Sequence, residues 1–203
     1  MKISVRNISK RYGNQWIFKN FDFTFSENTT YAIKGYNGSG KSTLLKVISG
    51  IESVNKGRIE YFNQNTPLDI ETIALQTQLV APYQELIEEL TLQEFLTFHF
   101  NLRNSPTSIE NFKQLVDLPT KKQIRYFSSG MKQRVKLGIA FFSNCKLLLL
   151  DEPTSNLDSE GIAWYQSLLK NHSKDRLIII ASNQAFEYEN FCSEIIDIAS
   201  YSR

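Results

Sequence analysis

The clearest chemistry in this chain sits in nine residues, GYNGSGKST at 35–43. From Gly35 to Ser42 they match G-x-x-x-x-G-K-[ST], a spacing that wraps backbone N–H groups around a phosphate. Gly35, Gly38 and Gly40 let the backbone turn those groups inward as an anion nest, with Tyr36, Asn37 and Ser39 filling the loop. The helix that follows adds the positive end of its dipole. Lys41 has the reach for β and γ phosphates, Ser42 offers a hydroxyl to Mg²⁺, and Thr43 can bond an α phosphate.

Two carboxylates lie far downstream, in LLLLDEP at 147–153. Four leucines predict a buried strand, and Asp151 stands at its C-terminal end, where open α/β sheets bind ligands. An acid there can hold Mg²⁺ through water. Glu152 faces differently and is the candidate to polarise an attacking water. Between the two stretches, YFSSGMKQR at 126–134 opens a helix that Ser128 or Ser129 can cap.

The elements that must position these groups follow from periodicity. KISVRNI and IFKNFDFTF alternate as strands, TYAIKG is a short apolar strand, and GRIEYFN is another. STLLKVIS has helical spacing and stops at Gly50. TIALQTQLVAP reads as one or two strands ending at Pro82. A helix-rich middle, about 84–142, contains TLQEFLTFHFNLR, SIENFKQLVDL and SGMKQRVKLGIAFFS. Strand and helix then alternate: strand 146–150, helix 159–170, strand 176–181, a short turn or helix, strand 193–198. The expected fold is α/β. A mostly parallel sheet is covered on both faces, with an N-terminal antiparallel part and an inserted helical lobe. A single domain is expected, with its core at about 1–83 and 143–203.

Composition narrows the classes. The chain has 203 residues, enough for one domain, and 41% are apolar. Basic and acidic side chains number 23 and 21, with no basic block, so no nucleic-acid partner is expected. Cys145 and Cys192 are far apart and form no CxxC pair, which fits reduced thiols in the cytoplasm. The runs KLLLLDEP and RLIIIAS fall well short of the ~18 apolar residues of a membrane span, and MKISVRNISKRYG has no apolar leader core.

Taken together and in order, these motifs resemble an ABC-type ATPase, the nucleotide-binding subunit of an ABC transporter. The resemblance runs end to end. Tyr12 in KRYG looks like the aromatic that stacks on adenine. LTLQEFL at 90–96 resembles the helical lobe's L-T-x-x-E-x-L stretch, and FSSGM at 127–131 stands where the family has L-S-G-G-Q. LLLLDEP is the Walker B strand, and SNLD at 155–158, ending in Asp158, is the D-loop. The compact size is similar to that of the haem-exporter ATPase subunit. The resemblance implies ATP and Mg²⁺ as ligands and a second ATPase subunit, as a homodimer or heterodimer. It also implies a separate transmembrane subunit that holds the protein at the cytoplasmic face of a membrane. In the family, each signature caps the ATP held by the other subunit, so Ser128, Ser129 and Gly130 would act in trans.

Four positions depart from the family. Ser129 replaces the signature's first glycine and Met131 its glutamine, and both keep the helix-start donors. The usual glutamine before the lobe falls on Pro82; Gln84, two residues later, is the candidate to contact metal and water, and Gln78 lies upstream. The usual histidine after the D-loop falls on Asn183, which can donate a hydrogen bond but cannot titrate near neutral pH. His99, within a stripe of Leu92, Phe95 and Leu96, reads as structural. Tyr83, Phe95, Phe98 and Phe100 either simply pack the lobe or help form a docking groove for the membrane subunit.

The alternative function is an ATP-dependent dimerising switch or scaffold with vestigial turnover. Soluble relatives in DNA repair or translation would need long coiled-coil insertions or two ATPase domains. A small-molecule kinase would leave FSSGM and SNLD unexplained.

Overall fold

The computed structural model describes residues 1–103 and 108–201. Residues 104–107 and 202–203, which belong to the expected lobe and core spans, lie outside it. Two sheets face each other. In the antiparallel one, β1 (Lys2–Tyr12) lies between β2 (Gln15–Phe25) and β4 (Lys56–Asn63), and β5 (Thr66–Pro67) extends β4. The second sheet has the order β6 (Thr77–Val80), β7 (Leu147–Asp151), β8 (Leu177–Ala181), β3 (Thr30–Lys34) and β9 (Glu194–Asp197), all parallel.

β7 and β8 are buried along their whole length, which is why LLLLD and LIIIA carry no alternation. One face of the parallel sheet packs with β1, β2 and helix α1 (Lys41–Ile48) around Phe18, Phe21, Phe25, Leu44 and Leu149. The other face packs on helices α5 (Ser129–Phe142) and α6 (Ser159–His172) through Leu137, Phe141, Tyr165 and Leu168. A third core, around Leu92, Leu96, Phe112, Val116, Ile124 and Val135, belongs to the lobe helices α3 (Leu92–Arg103), α4 (Ile109–Val116) and α5. Helix α5 therefore serves two cores at once. Its Val135 and Ile139 face the lobe, and its Leu137 and Ala140 face the sheet.

One expectation changes. TIALQTQLVAP is not all strand: helix α2 (Ile70–Gln76) precedes β6. Asp69 caps it by accepting from the Thr72 N–H at 2.7 Å, and that cap outweighs the β-branched residues within the helix. The four aromatics divide between packing and exposure. Phe95 and Phe100 pack into the lobe core, with His99 stacked on Phe95 at 6.1 Å. Tyr83 lies over Lys46, and both Tyr83 and Phe98 are exposed.

Candidate active site

The phosphate loop joins β3 to α1. Gly40 has φ 102°, and a side chain there would lie 2.7 Å from Ile17, so only glycine fits. No side chain caps α1, which leaves its first N–H groups to a ligand. Lys41 is buried and donates to the carbonyls of Gly35 (2.8 Å) and Tyr36 (3.2 Å), a cradle from which its ammonium can turn to a phosphate. Asn37, Gly38, Gly40, Lys41, Ser42 and Thr43 line a cavity of about 310 Å³, which Glu152 also borders.

Asp151 ends β7 at 1% exposure. Burial pushes its carboxyl up to about 6, with the Glu152 charge adding to the rise; the Ser42 hydroxyl and the Lys41 and Lys46 ammonium groups oppose it. The Ser42 hydroxyl is close enough to steady that charge, yet no full hydrogen bond reaches either Asp151 oxygen among the described residues. Because the value rises on folding, ionisation opposes folding. The group's contribution to stability is complete below its ordinary 3.8 and is lost as pH rises through about 6. A buried carboxylate without a donor, next to a serine hydroxyl, fits a divalent cation of the Mg²⁺ kind, whose charge would replace the missing partners.

Glu152, the next residue, is built differently. Its φ is 46°, a left-handed conformation that costs a non-glycine residue about 1–3 kcal/mol. Glu152 borders both the phosphate cavity and a second one of about 320 Å³, lined by Ser155, Asn183 and Glu187 among others. Asn183, just after β8, donates from Nδ2 to Asn37 Oδ1 at 3.2 Å, so the position of the family's usual histidine meets the phosphate loop here.

Tyr12 lies at the end of β1, 47% exposed. Its hydroxyl donates to Glu52 at 2.5 Å, and Thr43 sits beside it. Lys10 and Lys46 approach the same Glu52 at 3.1 and 3.9 Å, and the Lys10 ammonium lies over the Tyr12 ring, 5.1 Å from its centre. Gln84 is not brought to the metal position. Its Oε1 accepts from the Ala81 N–H at 3.1 Å, closing its own turn, and it lines other cavities. The connector side chain that faces the site is Tyr83. Its ring lies 4.2 Å from Lys46 Nζ, and its hydroxyl is pushed up to about 12 by burial and by the nearby Asp151 and Glu52 carboxylates. Sequence reading missed it because a tyrosine in APYQEL carries no phosphate-site signal.

Ser128 caps α5, accepting from the Met131 N–H at 3.2 Å, and Ser128 and Ser129 are exposed. None of Ser128, Ser129 and Gly130 lines the chain's own phosphate cavity. Gly130 instead packs on the D-loop: a Cβ there would sit 2.8 Å from the Asn156 carbonyl oxygen. Asp158 caps α6 through the Gly161 N–H at 2.8 Å.

This arrangement joins a phosphate nest, an orphaned carboxylate beside a serine, and a serine-glycine helix start outside the phosphate cavity. Comparison with known proteins gives it a family. The ABC transporter family model matches residues 18–155. The chain belongs to the ABC transporter family. It is an ATP-binding subunit of that family and an ATPase. Among its relatives is the lantibiotic transport ATP-binding protein SrtF of Streptococcus pyogenes, 28% identical over 89% of this chain and 79% of the relative. An ABC transporter ATP-binding protein from Pyrococcus furiosus has the same fold, with a TM-score of 0.84 over 100% of both chains at 22% identity. The bacterial ABC transporter cassette MJ0796, solved as a dimer, also shares the fold, with a TM-score of 0.79 at 22% identity over 99% and 97% of the chains. No helix among the described residues is long and apolar enough to cross a membrane.

Proposed function

We propose that this chain hydrolyses Mg²⁺-bound ATP as half of a head-to-tail pair, and that the pair drives a transmembrane subunit made as a separate chain, at the cytoplasmic face. Lys41 and the loop N–H groups hold the phosphates, and Tyr12 offers its ring to the base. Ser42 and Asp151 hold the metal, which neutralises phosphate charge. Glu152 takes the proton of the attacking water, while Asn183 donates a hydrogen bond to the γ phosphate or that water. The second subunit is another copy of this chain or a related one. Its Ser128, Ser129 and Gly130 complete the site, and Asp158 shapes the D-loop beside them.

The observation that carries this reading is the exposed signature start, remote from its own phosphate cavity yet packed on its own D-loop. A helix start with serine donors aimed at solvent is finished by an anion from outside the chain. Gln84 joins the metal only if closure frees it from Ala81; Tyr83 already faces that side as a hydrogen-bond donor that stays protonated at neutral pH.

The test is light scattering on Glu152→Gln with Mg-ATP. The substitution keeps shape and removes the base, so the dimer should accumulate. A Glu152→Gln protein that stays monomeric at saturating Mg-ATP, alone and with its membrane partner, contradicts the trans-signature arrangement.

A further inference from the structure

The turn that carries Glu152 is gripped from two sides by side chains with no role in the reading above. Glu152 donates its own N–H to the Ala181 carbonyl at 2.9 Å, which ties the turn to β8. Next to it, the Pro153 carbonyl accepts from Gln133 Nε2 at 2.7 Å, and Gln133 is buried at 3% exposure on the signature helix. One residue further, the Thr154 N–H donates to Glu187 Oε1 at 2.9 Å, and the Thr154 hydroxyl donates to the same oxygen. Glu187 is 1% exposed and sits on the 3₁₀ turn at Ala185–Glu187, just after Asn183. That turn is itself fixed to α6. The Tyr165 hydroxyl donates to the Glu187 carbonyl at 3.2 Å and Gln166 to the Phe186 carbonyl at 3.1 Å.

We propose that Glu187 and Gln133 are positioning residues that fix the Glu152 carboxylate for hydrolysis, Glu187 from the 3₁₀ turn after β8 and Gln133 from the signature helix. The physical reason is the left-handed backbone at Glu152. A glutamate relaxes from that conformation unless its surroundings over-determine it. Relaxation rotates the Cα–Cβ bond and re-aims the carboxylate, and a misplacement near 1 Å can slow chemistry about 10²-fold. A carboxylate at 187 suits the task because one oxygen accepts both Thr154 donors. Gln133 adds a link to the partner's site. The helix start that caps the partner's ATP continues into the residue that holds Pro153, so seating the signature and aiming the base are one rigid event.

The proposal rests on Glu152 being the base, and its test separates the two. Single-turnover hydrolysis and Mg-ATP affinity are measured on the full chain for Glu187→Ala, Glu187→Gln and Gln133→Leu, each alone and combined with Glu152→Gln. Glu187→Ala should slow turnover about tenfold to a hundredfold with affinity within about twofold of wild type. Glu187→Gln should recover most of that loss, since its amide oxygen still accepts both donors. Gln133→Leu should fall in between. In the Glu152→Gln background none of the three should slow the residual rate further, because there is no base left to aim. Should Glu187→Ala fail to fold, Thr154→Val removes the hydroxyl donor alone and enters the same cycle. Losses that multiply with Glu152→Gln, or that track ATP affinity, overturn the clamp; so does wild-type turnover in Glu187→Ala. Wild-type turnover in Glu152→Gln alone sinks the base assignment instead.

Discussion

Helices α1 and α5 both begin among serine and glycine residues, and they begin in opposite ways. Helix α1 has no side-chain cap. Gly40 enters it at φ 102°, and its first N–H groups surround a cavity that Lys41 and Ser42 also line. Helix α5 caps itself with Ser128, and its Lys132 is committed to Glu88 at 2.5 Å. The first start lacks only a phosphate. The second is satisfied enough to stand alone in solvent but keeps donors turned outward. A strong primary anion site and a weaker secondary one differ by how many of their own donors they have already used.

The contrast can be broken most forcefully at Glu152, the proposed base, which borders the phosphate cavity. Glu152→Gln should lower turnover by about 10²–10⁴-fold while ATP binding persists, because general base catalysis is lost and the phosphate nest is intact. Steady-state phosphate release beside equilibrium binding reads both quantities.

Asn183→Ala should slow the chemical step by about tenfold to a hundredfold, the value of one transition-state hydrogen bond of about 1.4–3 kcal/mol. The rate should show no step near neutral pH from this position, since a carboxamide does not titrate there. A rapid-quench pH series on wild type and variant is the measurement. Equal rates would make Asn183 a bystander and favour a vestigial switch.

Lys41→Ala should weaken Mg-ATP binding by at least about tenfold, or 1.4 kcal/mol, through loss of the charge nearest the β and γ phosphates. Titration calorimetry checks it. Unchanged affinity would remove the distinction between the two helix starts.

The smallest effect sharpens the comparison best. Ser128→Ala removes a cap worth about 1 kcal/mol, so the melting temperature should drop by a few degrees. ATP affinity of the monomer should not change, because Ser128 is not at its own phosphate cavity. Dimerisation of the Glu152→Gln protein, measured by light scattering, should weaken when Ser128→Ala is added.

What the sequence determined by itself was whatever is local. GYNGSGKST sets its own nest, since glycine spacing and a helix start need only neighbours along the chain. LLLLDEP declares a buried strand with an acid at its end, and the apolar runs imply a parallel sheet covered on both sides. The tertiary structure decided whatever depends on which distant atoms meet. TIALQ became a helix because Asp69 caps it. Gln84, named for its side chain, spends that side chain on Ala81, while Tyr83 turns to Lys46 and the carboxylates. Asn183 found Asn37 across 146 residues. The grip of Gln133 and Glu187 on the Glu152 turn leaves no periodic trace at all. Spacing along a chain encodes backbone geometry over a few residues; a hydrogen bond between remote side chains exists only once the two cores that carry them have packed.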